Sequence, residues 1–529
     1  MKRRSFLQKS AAVGIPALIG GFSVKAFTAD SPLVKALLAS TTDTDHVLVI
    51  VQLSGGNDGL NMVIPISTYG LYNAARPNIA IPENKILKLN GYDKTGLHPS
   101  MTGLQNMYNS NKLKIIQAAG YPQPNFSHFR ATDIWMTASN SNQEVYTGWA
   151  GRYLNYEYPN FPNGYPNDSM KDPLAIQIGS SASLISQGPS VNLAMSITSA
   201  TSFYQLINGT SDPVPATKAG KELSFIRNVA KQTQQYASVI TAAAAKVTMQ
   251  STYPTNNTLA DQLKIVARLV KGGLKTRVYM VNFGGFDTHS LQTTVADTTI
   301  GTHATLLGRV SDAIKAFQDD LIYLGIEDRV VGITFSEFGR RVKSNASTGT
   351  DHGAAAPMFV FGKAVQGGML GDNPTIQQVA TVNDNVPMQY DFRSVYATLL
   401  EKWFCIPKNT VQSLFPQNIN GTLQDLPLIK NGVCTTSAPN LSGSTLITNS
   451  PNPFTHYTDI RYTTNGGHTL LQIMDSLGRV IKTVENVYPD VVSTQVYRLD
   501  ASHLASGVYY VRYQNGVVQQ VRTLLKVNG

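Results

Sequence analysis

His46-Val-Leu-Val-Ile-Val-Gln-Leu53 is a continuous apolar run that breaks into Ser54-Gly55-Gly56-Asn57-Asp58-Gly59. Alternation would mark a strand with one wet face. An unbroken run marks a strand buried on both faces, here feeding a glycine-rich loop. The same kind of run recurs at Lys114-Ile-Ile-Gln-Ala-Ala119, Val278-Tyr-Met-Val-Asn-Phe283, Val330-Val-Gly-Ile-Thr-Phe335 and Pro357-Met-Phe-Val-Phe361. Among them, residues 222–249, 259–271 and 303–324 carry apolar positions at helical spacing. Strands alternating with helices predict an α/β fold, a mostly parallel sheet with helices on both faces. Ligand sites in such sheets lie beyond the carboxyl ends of the strands. The polar residues just after these runs are therefore the ones to weigh.

Four clusters stand there. Asp58 follows the first strand. Ser127 and His128 sit in Pro124-Asn-Phe-Ser-His-Phe-Arg130, after the strand at 114–119 and ahead of a helix-like run at 132–138. Asp287 and His289 sit in Phe283-Gly-Gly-Phe-Asp-Thr-His-Ser290. Ser336-Glu337-Phe-Gly-Arg340 is followed by Thr350-Asp351-His352-Gly353. Each has an ordinary structural reading. Asp58 braces a turn, Ser127 or Asn125 caps a helix, Asp287 and His289 tie a loop, and Glu337 pairs with Arg340.

Taken together, Asp58, Asp287, His289, Glu337 and His352 can converge on one cleft as metal ligands. A mixed Asp, Glu and His set suits zinc, manganese or a similar divalent ion. Such ions, one or two of them, polarise a phosphoryl or sulfuryl oxygen and activate a hydroxyl. Ser127 is the candidate nucleophile, because backbone N–H groups at a helix start stabilise an anion. Arg130 or Arg340 is the candidate to grip that anion in bidentate fashion.

The chain has 529 residues, room for two to four domains. Charged residues are only 14%, against roughly 25% in an average soluble chain, which suits a protein that works outside the cell. The net charge of +10 is concentrated at one end: the first 26 residues hold five of the 43 basic residues and no acidic one. The rest carries 38 basic against 33 acidic residues, with no basic run interleaved with aromatics. A nucleic-acid partner is not indicated.

The charged start and the apolar stretch at 11–24 read as a signal peptide over 1–26, too short to span a membrane. Arg3-Arg4-Ser5-Phe6-Leu7 resembles a twin-arginine export signal. An ordinary secretory signal with a basic start is the other reading. Cys405 and Cys434 are the two cysteines, available for one disulfide or as two free thiols. Residues 140–220, rich in Tyr, Pro, Asn and Ser, read as loops shaping the cleft.

Composition shifts near residue 431. Residues 431–446 read as a linker and 447–529 as a small β-sandwich of short strands and hairpin turns. Asn452-Pro453-Phe454, the turn Asp475-Ser-Leu-Gly-Arg479, Leu504-Ala-Ser-Gly507-Val-Tyr-Tyr510 and the terminal Leu525-Lys526-Val527 resemble a type A sorting domain of the type IX secretion system. That resemblance implies passage through the periplasm to the exterior or the outer cell surface, with the type IX machinery as partner. An adhesive or sugar-binding sandwich is the alternative. Cargo of this system typically takes the general secretory route, which sits awkwardly with a twin-arginine start.

Over residues 27–430 the ordered motifs resemble the DUF1501 family. They are Leu53-Ser-Gly-Gly-Asn-Asp-Gly-Leu-Asn61, Leu97-His98-Pro99, Asn125-Phe-Ser-His-Phe-Arg130, Gly284-Gly-Phe-Asp-Thr-His289, Ser336-Glu-Phe-Gly-Arg340 and Asp351-His352-Gly353. The family is similar to the alkaline phosphatase and sulfatase superfamily, which implies a metal-dependent hydrolase fold. Asp58, Ser127 and His352 match the superfamily's pattern. Asp287-x-His289 departs in spacing, and Glu337-Phe338 stands where an Asp-His pair is common, so one histidine ligand is missing. His98 or His128 is available to compensate. The leading expectation is a secreted metal-dependent hydrolase of phosphate or sulfate esters. The alternative is a non-catalytic surface protein that binds polysaccharide or another surface partner.

Overall fold

A computed structural model describes residues 44–199, 236–434 and 447–528, less a few positions inside these ranges, and two strand pieces at 18–19 and 22–23. Most of the leader at 1–26, most of the linker at 431–446 and the first half of the helix expected at 222–249 lie outside the described residues. Contacts group residues 44–434 in one unit and the C-terminal strands in another.

In chain order the large unit runs β1 (Val47–Ser54), α1 (Thr102–Asn109), β2 (Leu113–Gly120), α2 (His128–Thr137), α3 (Trp149–Glu157), β3 (Ala175–Ile178) and β4 (Ala194–Ile197). It continues with α4 (Thr258–Lys271), β5 (Val278–Gly284), α5 (Thr302–Tyr323), β6 (Val330–Phe335), β7 (Ala356–Phe361), β8 (Gly368–Leu370), β9 (Tyr390–Asp391) and α6 (Phe392–Lys402), with shorter pieces between. The strands form one sheet in the order β8-β2-β7-β6-β1-β5-β3-β4, with β9 also on β2.

β1 lies inside this sheet, parallel to β5 and β6, with Val51 facing Val281 on one side and Thr334 on the other. Its alternate side chains fill two cores. Val47, Val49, Val51 and Leu53 pack with Leu104 of α1, Leu263 and Val266 of α4 and Ile314 and Phe317 of α5. Leu48 and Ile50 pack with Ile134 and Trp135 of α2, Tyr153 of α3 and Tyr396 of α6. Residues Val47 to Val51 are at most 1% exposed, each contributing roughly 1.5–3 kcal/mol of burial. The two-faced burial explains why the run is unbroken. α4 starts where Asn257 accepts a hydrogen bond from the Ala260 N–H, and it buries Leu259, Leu263, Val266, Ala267 and Val270 along one face.

The sheet is mostly parallel, as expected, and two features go beyond the sequence reading. β7 runs antiparallel to both β6 and β2. A short apolar run carries no direction, so its orientation was not readable. The reversal matters: β7 begins at the edge where β1, β5 and β6 end. The segment leading into it, with Asp351 and His352, is therefore delivered to that edge. The second concerns 140–220, whose described part holds α3 and the last two parallel strands at one end of the sheet, β3 and β4. Trp149, Ala150, Tyr153 and Leu154 bury one side of α3, a stripe diluted by surrounding Gly, Asn and Pro.

The C-terminal unit has strands β10 (Ile447–Ser450), β11 (Tyr457–Thr464), β12 (Thr469–Met474), β13 (Val480–Asn486), β14 (Ser493–Asp500), β15 (Gly507–Asn515) and β16 (Val518–Lys526). They form two antiparallel sheets, β10-β11-β14 and β13-β12-β15-β16. Phe454, Ile460, Tyr462, Leu471, Ile473, Leu499, Val511, Tyr513 and Leu524 share one core between them, as a sandwich requires. In the large unit, Cys405 and Cys434 form a disulfide.

Candidate metal centre

The register sets Ser54 opposite Gly284, so the loops after β1 and β5 leave the sheet side by side. Gly55, at φ +123°, makes that contact possible: a Cβ there would sit 2.4 Å from the Asp287 backbone nitrogen. Arg340 then binds the loops together. Its guanidinium donates to the carbonyls of Gly56 (2.5 Å), Thr350 (2.7 Å) and Phe286 (3.1 Å), to that of Gly55, and to Asp287 Oδ1 (2.7 Å). Arg340 is buried and the Asp287 carboxylate is half exposed.

Three histidines turn their Nε2 atoms towards or beside that carboxylate. His128 Nε2 lies 3.4 Å from Asp287 Oδ2. His289 Nε2 and His352 Nε2 each lie 3.2 Å from Asp287 Oδ1, and 2.9 Å from each other. Donor atoms of His128, Asp287 and His352 all fall within 4.8 Å of one another. The opposite ring nitrogens are each held by an oxygen. His128 Nδ1 meets Glu337 Oε1 at 2.8 Å, His352 Nδ1 meets the Phe126 carbonyl at 2.8 Å, and His289 Nδ1 meets Asp351 Oδ1 at 3.1 Å.

Carbonyl and carboxylate oxygens only accept, so each Nδ1 carries a hydrogen, and in a neutral ring Nε2 then presents a lone pair. Neutral His289 and His352 would then bring two lone pairs to 2.9 Å. Only a shared positive charge, a proton or a metal ion, relieves that contact. Oxygen anchors on the outer nitrogens are what orient metal-bound imidazoles. Donors bound at about 2.0–2.1 Å to one tetrahedral ion stand roughly 3.3 Å apart, so this donor set fits a divalent ion. Partial burial works to raise the Asp287 carboxyl, but the hydrogen bond and positive charge of Arg340 override it and hold it at about 2. Burial lowers His352, against the pull of the Phe126 carbonyl and Asp287. Both shifts favour the deprotonated forms that bind metal.

The other expected residues are placed differently. Asp58 is fully buried beneath the loop, where Arg76 Nη1 donates to both its oxygens at 2.7 and 2.6 Å and Gln292 Nε2 donates at 2.5 Å. Burial would raise this carboxyl; the charge and hydrogen bonds of Arg76 outweigh it and hold the group low. Its charge is already met, so it is not a member of the histidine cluster. Glu337 is 2% exposed, accepts from the Gly55 N–H at 2.9 Å and orients His128. Arg130 donates to the carbonyls of Asn140, Ser141 and Gln143, clamping a loop, and the Arg340 guanidinium is fully engaged as described. Ser127 is exposed at the N-cap of α2, and its side chain makes no capping hydrogen bond.

Sequence reading offered His128 only as an alternative to His98 for the missing histidine ligand, and geometry brings His128 to Asp287. Sequence reading passed over Arg76 altogether, because an arginine ending a short helix 18 positions from Asp58 carries no signal.

No curated protein matches the chain. Solved structures similar to it include a sulfatase from Pseudoalteromonas sp., 10% identical with a TM-score of 0.31, the match covering 95% of this chain and 88% of that one. A protein in the alkaline phosphatase superfamily from Vibrio parahaemolyticus is 8% identical with a TM-score of 0.32, covering 94% and 91%. A putative sulfatase from Bacteroides thetaiotaomicron is 8% identical with a TM-score of 0.30, covering 90% and 84%. Residues 450–527 match the secretion system C-terminal sorting domain, an address for the cell surface or beyond. Among the described residues no helix is long and apolar enough to cross a membrane. Residues 89–415 match the model of DUF1501, described as a protein of unknown function, and the chain belongs to that family.

Proposed function

We propose that the large unit is a hydrolase of phosphate or sulfate esters that works with one divalent cation, zinc or manganese. The observation that carries this reading is the set of three imidazoles, each anchored at Nδ1 by an oxygen, with Nε2 atoms gathered at Asp287. His128, Asp287 and His352 would hold the cation, with His289 as the fourth donor. When bound, it supplies Lewis-acid polarisation of the ester oxygen.

The chain's own residues do the rest. Arg340 keeps the Asp287 carboxylate ionised and fixed. Glu337, Asp351 and the Phe126 carbonyl hold the rings in one tautomer. Ser127, next to His128, offers its exposed hydroxyl as nucleophile. The ester's leaving oxygen departs with a proton, and water then releases the group from Ser127. The N-terminal N–H groups of α2, next to Ser127, would meet the anion, since Arg130 and Arg340 are already engaged. The type IX machinery would carry the folded unit outwards through the C-terminal domain, over boundaries near 27–430, 431–446 and 447–529.

The test is release of phosphate and of sulfate from p-nitrophenyl phosphate and p-nitrophenyl sulfate. Turnover by the metal-loaded full chain, lost in Ser127→Ala, supports the reading. Absence of turnover on both esters, with metal bound, favours the binding-protein alternative.

A further inference from the structure

Beside His128 lies an open groove of about 370 Å³ that the proposed chemistry leaves unused. Phe129, Thr132 and Asp133 of α2 line one wall. Ser54, Gly284 and Gly285, at the ends of β1 and β5, line another. Its volume is at the low end of the roughly 300–1,000 Å³ of small-molecule sites. The Phe129 ring is 87% exposed, although it follows directly on a proposed ligand. Among the described residues nothing pairs with the Asp133 carboxylate.

Resting on the hydrolase reading, we infer that this groove is the subsite for the leaving-group side of the ester and that it takes a neutral pyranose ring. An ester anion would be held where His128, Asp287 and His352 gather, so the rest of the substrate would extend from there. The groove adjoins His128 and is the built space next to it. Asp133 repels a second anionic group, which excludes polyphosphates and polysulfated rings at this position. An aromatic face gives the apolar C–H face of a sugar ring a surface to pack on. Asp133, Thr132 and Ser54 offer a carboxylate and two hydroxyls to the ring's own hydroxyls. The absence of side chains at Gly284 and Gly285 leaves room for a flat ring to lie close to the backbone. A quaternary ammonium group is the competing ligand for one aromatic ring and one carboxylate. It would make no use of the Thr132 hydroxyl, and a single ring makes a poor cage.

The test is saturation-transfer NMR on the full chain with the methyl pyranosides of glucose, galactose, mannose and fucose, and with choline as the competitor. Transfer to the ring C–H protons of at least one pyranoside is expected. Phe129→Ala and Asp133→Asn should each weaken it roughly tenfold, a typical loss for one stacking or charged contact. Phe129 is exposed, so its removal does not touch the core. Asp287→Asn should leave sugar binding in place, which separates this claim from the metal reading. No transfer to any pyranoside, transfer unchanged in both groove variants, or transfer to choline alone overturns the proposal. Sugar binding that persists while ester turnover fails would leave the subsite standing and remove the hydrolase reading.

Discussion

Arg76 Nη1 lies 2.7 and 2.6 Å from the two carboxylate oxygens of Asp58, and neither side chain is exposed to solvent. The remaining guanidinium nitrogens donate to the backbone carbonyls of Val342 and Arg341, so this arginine is fully satisfied as well. A carboxylate that the sequence offers as a metal ligand is thus matched by a fixed organic cation. On the proposed reading, the metal position is then the one built on Asp287 and the histidines.

Removing Arg76 should be costly. Arg76→Ala leaves a buried carboxylate without its partner, a change worth about 3–5 kcal/mol. A thermal melt of the full chain should show a large fall in midpoint, partly restored by adding Asp58→Asn. A melt within about 0.5 kcal/mol of the parent, the range of a neutral surface change, would contradict a buried pair.

Glu337 should tune the metal without binding it. Glu337→Gln keeps an acceptor for the Gly55 N–H and replaces the carboxylate behind His128. Metal affinity, measured by competition with a chromophoric chelator, should fall roughly 10–100-fold while the melting point moves little. Complete loss of binding would instead make Glu337 a direct ligand.

Gly55 should accept no side chain. A Cβ would strike the Asp287 nitrogen and the Phe286 backbone, and φ is +123°. Gly55→Ala should push the two loops apart, so both metal affinity and stability drop. Unchanged metal binding in that variant would mean the loop contact is not what places Asp287.

Stability should depend on His303 in mild acid. Burial holds this histidine at about 4, against an ordinary value of 6.5, and its Nε2 faces Asn57 Oδ1 at 2.9 Å. Between these values the unfolded chain binds a proton that the folded chain refuses. Stability is therefore full above about pH 6.5 and falls as pH drops towards 4. The urea midpoint should follow that curve, with a shallower fall in His303→Gln. An equally steep fall in the variant assigns the effect elsewhere, His98 being the next buried imidazole.

Much of this was legible in the chain. The apolar runs at 46–53, 278–283 and 330–335 mark strands that lie side by side in the sheet, and the polar residues after them do reach one edge. What spacing cannot give is side-chain reach. His128 and Glu337 both arrive at the cluster, but only geometry decides that the imidazole turns to Asp287 and the carboxylate stays behind it. Strand direction is equally silent, which hid the route by which β7 delivers His352. The Asp58–Arg76 pair depends on a tertiary contact with no local pattern, and it takes Asp58 out of the carboxylates open to a cation.

The most direct measurement is the metal content of the full chain, purified without chelator, beside Asp287→Asn and Asp58→Asn. One zinc or manganese ion per chain is predicted, lost in Asp287→Asn and retained in Asp58→Asn. No bound ion, or two ions of which one disappears with Asp58, would contradict a single-cation centre built on Asp287, His128 and His352.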